Sequence, residues 1–224
     1  MSISAVLFDL YETLVAEAHA PVRRAGSLAA HLALEEATYK REWKTRRPDI
    51  VLGRCTFRDA LVQIASKLGG VVNEVVLDEL HAERVAQKTT VLAAVEPDVL
   101  AALAELRRAG LKLGLVTNTF PEDVAGWERS PLRQFFDAAT FSYAVGHMKP
   151  DPEIYLAACR ALHVAPQHAF FVGDGRDEVA GAEDAGLAAS RALWFASRLP
   201  AAIIGRGESG LWHIRDVVER ALAA

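Results

Sequence analysis

The chain has few cysteines, no long apolar run and no strong excess of either charge. Its two cysteines, Cys55 and Cys159, have neither metal-ligand spacing nor the number needed for a disulfide framework, so a reducing compartment is the simplest setting. No apolar stretch approaches the roughly 20 residues that a membrane-spanning helix needs, and the first residues lack the segments of a secretion signal. We therefore expect a cytoplasmic protein without a membrane partner.

The formal net charge is only -4 at pH 7, which gives no electrostatic basis for a nucleic-acid partner. Internal repeats and low-complexity tracts are also missing. Apolar residues, in contrast, are abundant. They make up 51% of 224 residues, which is enough for one large domain or two small ones with a sizeable core.

Short apolar runs alternate with helical patterns through most of the chain. Runs at residues 3–10, 111–117, 138–142 and 169–172 predict four buried strands, and residues 192–196 are a candidate fifth. Strands that are apolar throughout and separated by helices are typical of a parallel sheet covered on both faces. The sequence therefore predicts an α/β fold.

Several predicted helices have recognisable ends. One begins at Pro97 and can end at Gly110, and another is capped by Asp151 with Pro152 at its first position. Residues 214–222 predict a final amphipathic helix. These signals place helices between the predicted strands, as a parallel sheet requires.

Residues 15–90 contain no convincing strand. Thr56 begins a capping signature, and Asn73 can cap the next helix. We predict a small all-helical cap domain over residues 15–90, and an α/β core domain formed by residues 1–14 and 91–224. Such an insert would lie above the carboxyl edge of the sheet, where a lid can exclude water from a reaction.

Polar residues stand at or just beyond the ends of the predicted strands: Asp9, Thr117, Asn118, Lys149 and Asp174. The carboxyl ends of strands are where open α/β sheets bind ligands. A carboxylate nucleophile needs an electropositive neighbour, which Lys149 can supply as a point charge. Asp174, together with Asp9, can hold Mg²⁺, which prefers oxygen ligands. The Thr117 hydroxyl and the Asn118 backbone N–H can meet the oxygens of a transferring group.

With these residues the chain resembles the haloacid dehalogenase (HAD) superfamily of aspartate-nucleophile hydrolases. Four motifs carry the resemblance, at residues 8–14 (FDLYETL), 116–118 (VTN), 149–152 (KPDP) and 172–178 (VGDGRDE). The resemblance implies a Rossmann-like, doubly wound parallel core, a helical cap, an aspartyl-enzyme intermediate and usually Mg²⁺. It also implies a small, anionic substrate, and it leaves open a monomer or a homodimer.

The chain departs from the family pattern two residues after the expected nucleophile. Most phosphatases of the family carry a second Asp there, which protonates the leaving alcohol, whereas this chain has Tyr11. Loss of a general acid/base typically costs about 10²–10⁴-fold in rate. The dehalogenase branch also has Tyr at this position, and a departing halide needs no proton. Gly173 and Asp174 instead match the Mg²⁺-dependent phosphatases.

The first functional hypothesis is a Mg²⁺-dependent hydrolase of a small phosphomonoester. Asp9 attacks phosphorus, and the groups that bind the phosphoryl oxygens are Thr117, Asn118, Lys149 and Gly175, whose missing side chain allows close approach of the backbone. The metal ligands are Asp9, the backbone carbonyl of Tyr11, Asp174, and Asp177 or Glu178, between which the sequence leaves the choice open.

Two further hypotheses remain. In a 2-haloacid dehalogenase, Asp9 displaces halide from carbon, and a cap arginine such as Arg41 helps to take the halide. The residues that position the carboxylate substrate and the nucleophile are Thr13, Thr117, Asn118, Lys149 and Tyr155. A weakly active or inactive family member that binds a ligand or a partner protein is the third hypothesis, and the missing second Asp motivates it.

Overall fold

The computed structural model describes residues 2–16, 27–196 and 209–223. Its centre is a parallel sheet with strand order β3-β2-β1-β4-β5. The strands are β1 Ala5–Phe8, β2 Lys112–Thr117, β3 Ala138–Phe141, β4 Ala169–Gly173 and β5 Ala188–Arg191. Phe8 at the end of β1 lies opposite Leu115 of β2 and Val172 of β4, so the residues that follow these three strands meet at the middle of one sheet edge.

Helices cover both faces of the sheet. They are α1 Leu28–His31, α2 Glu36–Val51, α3 Phe57–Leu68, α4 Glu74–Ala93, α5 Pro97–Arg108, α6 Ser142–Val145, α7 Pro152–Leu162, α8 Arg176–Asp184 and α9 Arg215–Ala223. Leu103 of α5 and Val217 of α9 are buried in the apolar cluster on one face, and Ile154 of α7 and Ala182 of α8 are buried on the other. The predicted doubly wound α/β architecture is confirmed.

Capping side chains mark the ends of several helices as the sequence indicated. Thr56 and Asp59 form a reciprocal capping box at α3. The Asn73 side chain accepts hydrogen bonds from the first turn of α4, and Asp151 accepts one from the Glu153 backbone N–H at α7. Gly110 follows α5 with a φ of +83°, a conformation that favours glycine. These local contacts fix where the helices begin and end.

Helices α1 to α4 form a helical insert between β1 and α5, defined here as residues 27–93. The insert has its own apolar cluster, in which Phe57, Ile64 and Leu77 are buried. Helix α4 belongs to both clusters, because Val91 and Leu92 near its end pack in the main core. The described part of the insert contains no strand, as predicted, but residue 90 falls inside α4. The division into two domains stays a prediction.

The fifth strand was predicted at the wrong place. Residues 192–196 form no strand, and the edge strand is instead Ala188–Arg191. Leu193 and Phe195 are buried in an irregular segment, and the indole N–H of Trp194 donates a hydrogen bond to the Thr13 carbonyl (2.9 Å). The apolar run therefore reflects burial and not strand structure. In the described part of the chain, no helix has the length and apolar character needed to cross a membrane.

Candidate active site

Asp9 and Lys149 form a buried ion pair at the middle of the sheet edge. Asp9 directly follows β1, and its backbone N–H donates to the Val172 carbonyl (2.9 Å). Its carboxylate oxygen Oδ1 lies 2.5 Å from Nζ of Lys149, and the two residues are only 6% and 3% exposed. Burial raises the pKa of Asp9 to about 7, although Lys149 opposes this shift. Burial also opposes the charge on Lys149, but Asp9 and Glu178 together hold its pKa above the usual value.

Asp9 belongs to a cluster of three carboxylates. Oxygens of Asp9, Asp174 and Glu178 lie within 4.8 Å of one another, and Glu178 Oε2 is 2.9 Å from Lys149 Nζ. Asp9 and Glu178 thus contact one ammonium group, and Asp174 adds a third carboxylate beside them. Burial together with Glu178 raises the pKa of Asp174. An all-oxygen donor set suits Mg²⁺, and a divalent cation would offset this repulsion. The chemistry of the donor set therefore fits a magnesium site.

The structure distinguishes between the two carboxylates that the sequence left open. Glu178 is part of the cluster, whereas Asp177 is exposed and is not one of the three grouped acids. The sequence places both residues in the first turn of α8, but only the direction of each side chain decides which one reaches Asp9. The role of the Tyr11 carbonyl as a metal ligand stays a prediction.

The loop before α8 is shaped around Glu178. A Cβ added to Gly175 would lie 2.9 Å from Cγ of Glu178, and one added to Gly173 would lie 2.7 Å from the ring of Phe171. Both contacts are closer than real Cβ atoms allow. Gly175 thus has a structural role in letting Glu178 fold back over the loop, and its contact with a substrate stays a prediction.

Asn118 holds the backbone of Lys149 in place. Its side-chain amide donates to the Lys149 carbonyl (2.9 Å) and accepts from the Lys149 N–H (2.8 Å). This two-point contact fixes the segment that carries the ammonium group. Thr117 is buried at the end of β2, beside the strand that leads to Asp9. The predicted contacts of Thr117 and Asn118 with substrate oxygens remain untested.

The Tyr11 side chain is directed away from a proton-donating role. Its hydroxyl donates a hydrogen bond to the Asp123 carbonyl (2.7 Å), and Nζ of Lys88 lies 4.2 Å from the centre of its ring. The Tyr11 hydroxyl proton is therefore already engaged in a hydrogen bond and is not directed at a leaving group.

Thr13 is buried, and within the described residues its hydroxyl has no hydrogen-bond partner. Because buried polar groups are normally paired, this hydroxyl can accept a partner when a ligand binds.

Two predicted residues lie in positions that do not suit their proposed roles. Tyr155 is fully buried, and its hydroxyl donates to the Glu178 carbonyl (2.6 Å), so it supports Glu178 and is not presented to a substrate. Arg41 is exposed on α2, where it donates to the Thr38 hydroxyl (3.0 Å). The Tyr155 contact joins two helices and is not specified by helix patterns, whereas Arg41 and Thr38 lie three residues apart on α2, a spacing at which helical side chains meet.

Sequence reasoning missed the contact between α4 and the segment after β2. Arg84 Nη2 lies 2.7 Å from Asp123 Oδ1, and its guanidinium group stands over the ring of Phe120. The backbone carbonyl of Asp123 also accepts the hydrogen bond from the Tyr11 hydroxyl. The spacing of Arg84 and Lys88, one helical turn apart, was an available signal that both face the same side.

Comparisons with known proteins agree with the fold and the motifs. The haloacid dehalogenase-like hydrolase family matches residues 3–186. A glyceraldehyde 3-phosphate phosphatase of Methanopyrus kandleri is 39% identical over 42% of this chain and 42% of that protein. The pyrophosphatase PpaX of Bacillus thuringiensis is 34% identical over 40% of this chain and 42% of that protein. The matched segment thus spans about two fifths of the length of these relatives.

A solved structure agrees over nearly the whole length. The 2-haloacid dehalogenase of Pseudomonas syringae pv. Tomato superposes with a TM-score of 0.71 at 24% identity, covering 99% of this chain and 98% of that one. At this identity the similarity concerns the fold. The family match covers most of the chain and includes all four motifs, so this protein belongs to the haloacid dehalogenase-like hydrolases.

Proposed function

We propose that the chain hydrolyses a small phosphomonoester with the help of Mg²⁺. The observation that carries this proposal is the cluster of Asp9, Asp174 and Glu178 around Lys149. Asp9, Asp174 and Glu178 would hold a divalent cation, which would supply positive charge beside a bound phosphoryl group. The relatives named as phosphatases support the same reaction class.

The reaction takes place in two steps. A carboxylate oxygen of Asp9 forms a bond to phosphorus while the ester bond breaks and its electron pair stays on the leaving oxygen. The leaving oxygen takes a proton from water, which gives the free alcohol and an aspartyl phosphate. Lys149, Thr117 and Asn118 bind the phosphoryl oxygens and offset their charge in the transition state. Water then cleaves the aspartyl phosphate, releases inorganic phosphate and regenerates Asp9. When bound, Mg²⁺ supplies additional positive charge to the phosphoryl oxygens.

The helical insert serves as a cap over this site. Two contacts support this role: Arg84 of α4 pairs with Asp123 of the core, and Lys88 of the same helix lies over Tyr11. Both contacts lie next to the segment that follows Asp9. A cap in this position excludes water from the ester while Asp9 attacks.

A carbon-halogen hydrolase is the second candidate, and one observation favours it. The Tyr11 hydroxyl is bonded to the Asp123 carbonyl, which suits a first step that needs no proton donor. In this reaction Asp9 attacks carbon, halide leaves with the bonding electrons, and water hydrolyses the ester. The acidic cluster has no evident role in carbon-halogen hydrolysis, so this reaction is the second candidate.

Parallel assays of phosphate and halide release separate the two candidates. The purified chain is incubated with a panel of phosphomonoesters and with short 2-haloacids, in Mg²⁺ and in chelator. We expect phosphate release that requires Mg²⁺ and is lost in Asp9→Asn. The matched control is Asp177→Asn, an exposed acid outside the cluster, which should retain activity. Halide release that persists in chelator, without phosphate release, would replace the first candidate with the second.

A further inference from the structure

A cavity of about 280 Å³ lies among the four helices of the insert. Three aromatic residues line it, namely Tyr39, Trp43 and Phe57, and Leu80 of α4 adds a buried aliphatic side chain. The rings of Tyr39 and Trp43 stack with their centres 6.0 Å apart, and Trp43 meets the Phe57 ring edge-on at 5.9 Å. Pockets that bind small molecules have the same character, because most of their lining is apolar or aromatic.

Two of the lining residues carry a buried polar atom that has no hydrogen-bond partner. Tyr39 is only 5% exposed, and across the described residues neither its hydroxyl nor Nε of Arg84 makes a hydrogen bond. A buried polar group that stays unpaired has lost its bonds to water, so nearly all such groups in folded proteins find a partner. Two of them in the lining of one cavity point to a partner that is bound there.

Both of these groups offer a proton. Burial raises the pKa of Tyr39 well above its ordinary value, so the hydroxyl keeps its proton and can donate it. The Nε–H of a guanidinium group can only donate. Nη2 of Arg84 lies 2.7 Å from Asp123 Oδ1, which holds the guanidinium group in place. The missing partner must therefore bring a hydrogen-bond acceptor.

The charges in the lining balance one another. The charged residues are Glu36, Lys40, Glu83 and Arg84, two of each sign, and Lys40 Nζ lies 3.1 Å from Glu36 Oε1. A charged ligand would lose its hydration here without meeting a net opposite charge, so an uncharged ligand fits better. Small-molecule pockets start at about 300 Å³, and a cavity of this size therefore suits a single substituted ring.

We propose that this cavity is a second binding site, which takes an uncharged aromatic ring compound that carries a carbonyl group. The ring packs against Trp43 and Phe57. The carbonyl oxygen accepts a hydrogen bond from the Tyr39 hydroxyl, and Arg84 offers a second donor. The site shares no residue with the cluster around Lys149, so it gives the insert a ligand-binding function of its own.

Benzamide is a suitable probe, because it joins one aromatic ring to one carbonyl group and has no charge. Calorimetric titration of the full chain should show one site with a Kd on the order of 1 mM. Tyr39→Phe keeps the ring and removes only the hydroxyl, so it should weaken the binding of benzamide by roughly 5–10-fold. Toluene has the ring without the carbonyl group, and it should bind equally to both proteins.

The tryptophan signals show where the probe binds. Of the four tryptophans, only Trp43 lies in the insert, so benzamide should shift its indole N–H signal in an NMR titration. The signals of Trp127, Trp194 and Trp212 should stay unchanged, and Trp43→Phe identifies the signal that moves. Benzoate and benzylamine carry the same ring with a charge, and each should bind more weakly than benzamide.

Three results would overturn the proposal. They are an unchanged Trp43 signal, a Tyr39→Phe variant that binds benzamide as tightly as the unaltered protein, and an equal loss of benzamide and toluene binding in that variant. Tighter binding of benzoate or benzylamine would overturn the assignment of an uncharged ligand. None of these measurements depends on phosphate release, so failure here would leave the proposed hydrolysis intact.

Discussion

The proposed role of Asp9 as a nucleophile requires an ionised carboxylate, yet the surroundings of Asp9 make ionisation costly. The residue is almost fully buried, Glu178 and Asp174 add negative potential, and Lys149 is the cation beside it. Burial is the largest contribution and raises the pKa of Asp9 from 3.8 to about 7. The folded protein without metal therefore binds a proton at Asp9 more tightly than the unfolded chain does.

This difference predicts a pH effect on stability. Because the folded-state pKa is raised, the contribution of Asp9 to the free energy of unfolding is full below about pH 4 and is lost as the pH rises through about 7. Asp9→Asn has no such titration. In chelator, we expect the Tm of the unaltered protein to fall relative to that of Asp9→Asn over this range. Thermal unfolding of both proteins between about pH 4 and 7 measures this difference in Tm. If Tm changes with pH in the same way for both proteins, the raised pKa of Asp9 is contradicted.

Two buried tyrosines give a matched pair for a second prediction. The Tyr155 hydroxyl donates to the Glu178 carbonyl at 2.6 Å, whereas the Tyr39 hydroxyl is buried and has no hydrogen-bond partner in the described regions. We expect Tyr155→Phe to lower the free energy of unfolding by about 1 kcal/mol, the net worth of a typical hydrogen bond. Tyr39→Phe should be neutral or stabilising. Urea denaturation measures both, and a larger loss for Tyr39→Phe would contradict these contacts.

The sequence identified the polar residues at this site but not all of their partners. Asp9, Lys149 and Asp174 were predictable, because each stands at or just beyond a strand end and such ends meet at one sheet edge. The orientation of Tyr155 was not, because its partner is a backbone carbonyl on another helix. The pairing of Arg84 with the Asp123 carboxylate was missed because it joins two residues 39 positions apart, which local sequence patterns do not relate.

At the scale of elements, α8 packs very closely against the segment that carries Lys149. A Cβ built on Gly181 would lie 2.2 Å from the Pro150 carbonyl oxygen, so glycine is required for this approach. The helix thereby holds the Lys149 segment and Glu178 at a fixed separation. Close backbone packing of this kind fixes the relative positions of the site residues without any polar contact.

Gly181→Ala tests this packing, because two effects of opposite sign compete. Helix propensity alone would favour Ala by about 1 kcal/mol. Overpacking against a backbone oxygen costs typically about 1–3 kcal/mol, and we expect the clash to win. Chemical denaturation should show a net loss of stability. Ala180→Gly, at an exposed position of the same helix, calibrates the propensity effect with an expected loss of about 1 kcal/mol. A gain of stability in Gly181→Ala would show that α8 can move away from Pro150.

The elements themselves were predictable to different degrees. The buried strands β1, β2 and β4 were visible because both of their faces are covered, which makes them largely apolar. The edge strand β5 has the sequence AASR, and two of its residues are half-buried and one is exposed, so it carries no such signal. The stronger apolar run at residues 192–196 packs into the core and forms an isolated bridge between Ala192 and Leu211 instead of a strand.

Binding of a metal ion at the proposed site would also stabilise the whole molecule. A cation that binds the folded state relieves the repulsion among Asp9, Asp174 and Glu178, and it has no preformed site in the unfolded chain. At a concentration 100-fold above its Kd, such a cation would stabilise the fold by about 2.7 kcal/mol. For a protein of this size, that corresponds to a rise in Tm of roughly 5–10 °C.

We therefore expect Mg²⁺ to raise the Tm of the unaltered protein and of Asp177→Asn, but not that of Asp174→Asn. Differential scanning calorimetry with increasing Mg²⁺ measures this effect independently of any substrate. Equal responses of the two variants would place the cation elsewhere. The fold and the family were predictable from the order and spacing of the motifs, because these features determine which strand ends lie together.

Helix α4 has a practical consequence for chimeric proteins. Its early turns contribute Leu77 and Leu80 to the insert's apolar cluster, and its last turn contributes Val91 and Leu92 to the main core. A transplant of the insert cut at residue 90 would leave two apolar side chains behind on a fragment too short to stay helical. Exchanges of specificity between related hydrolases should therefore be joined after residue 93, so that the whole helix travels as one piece.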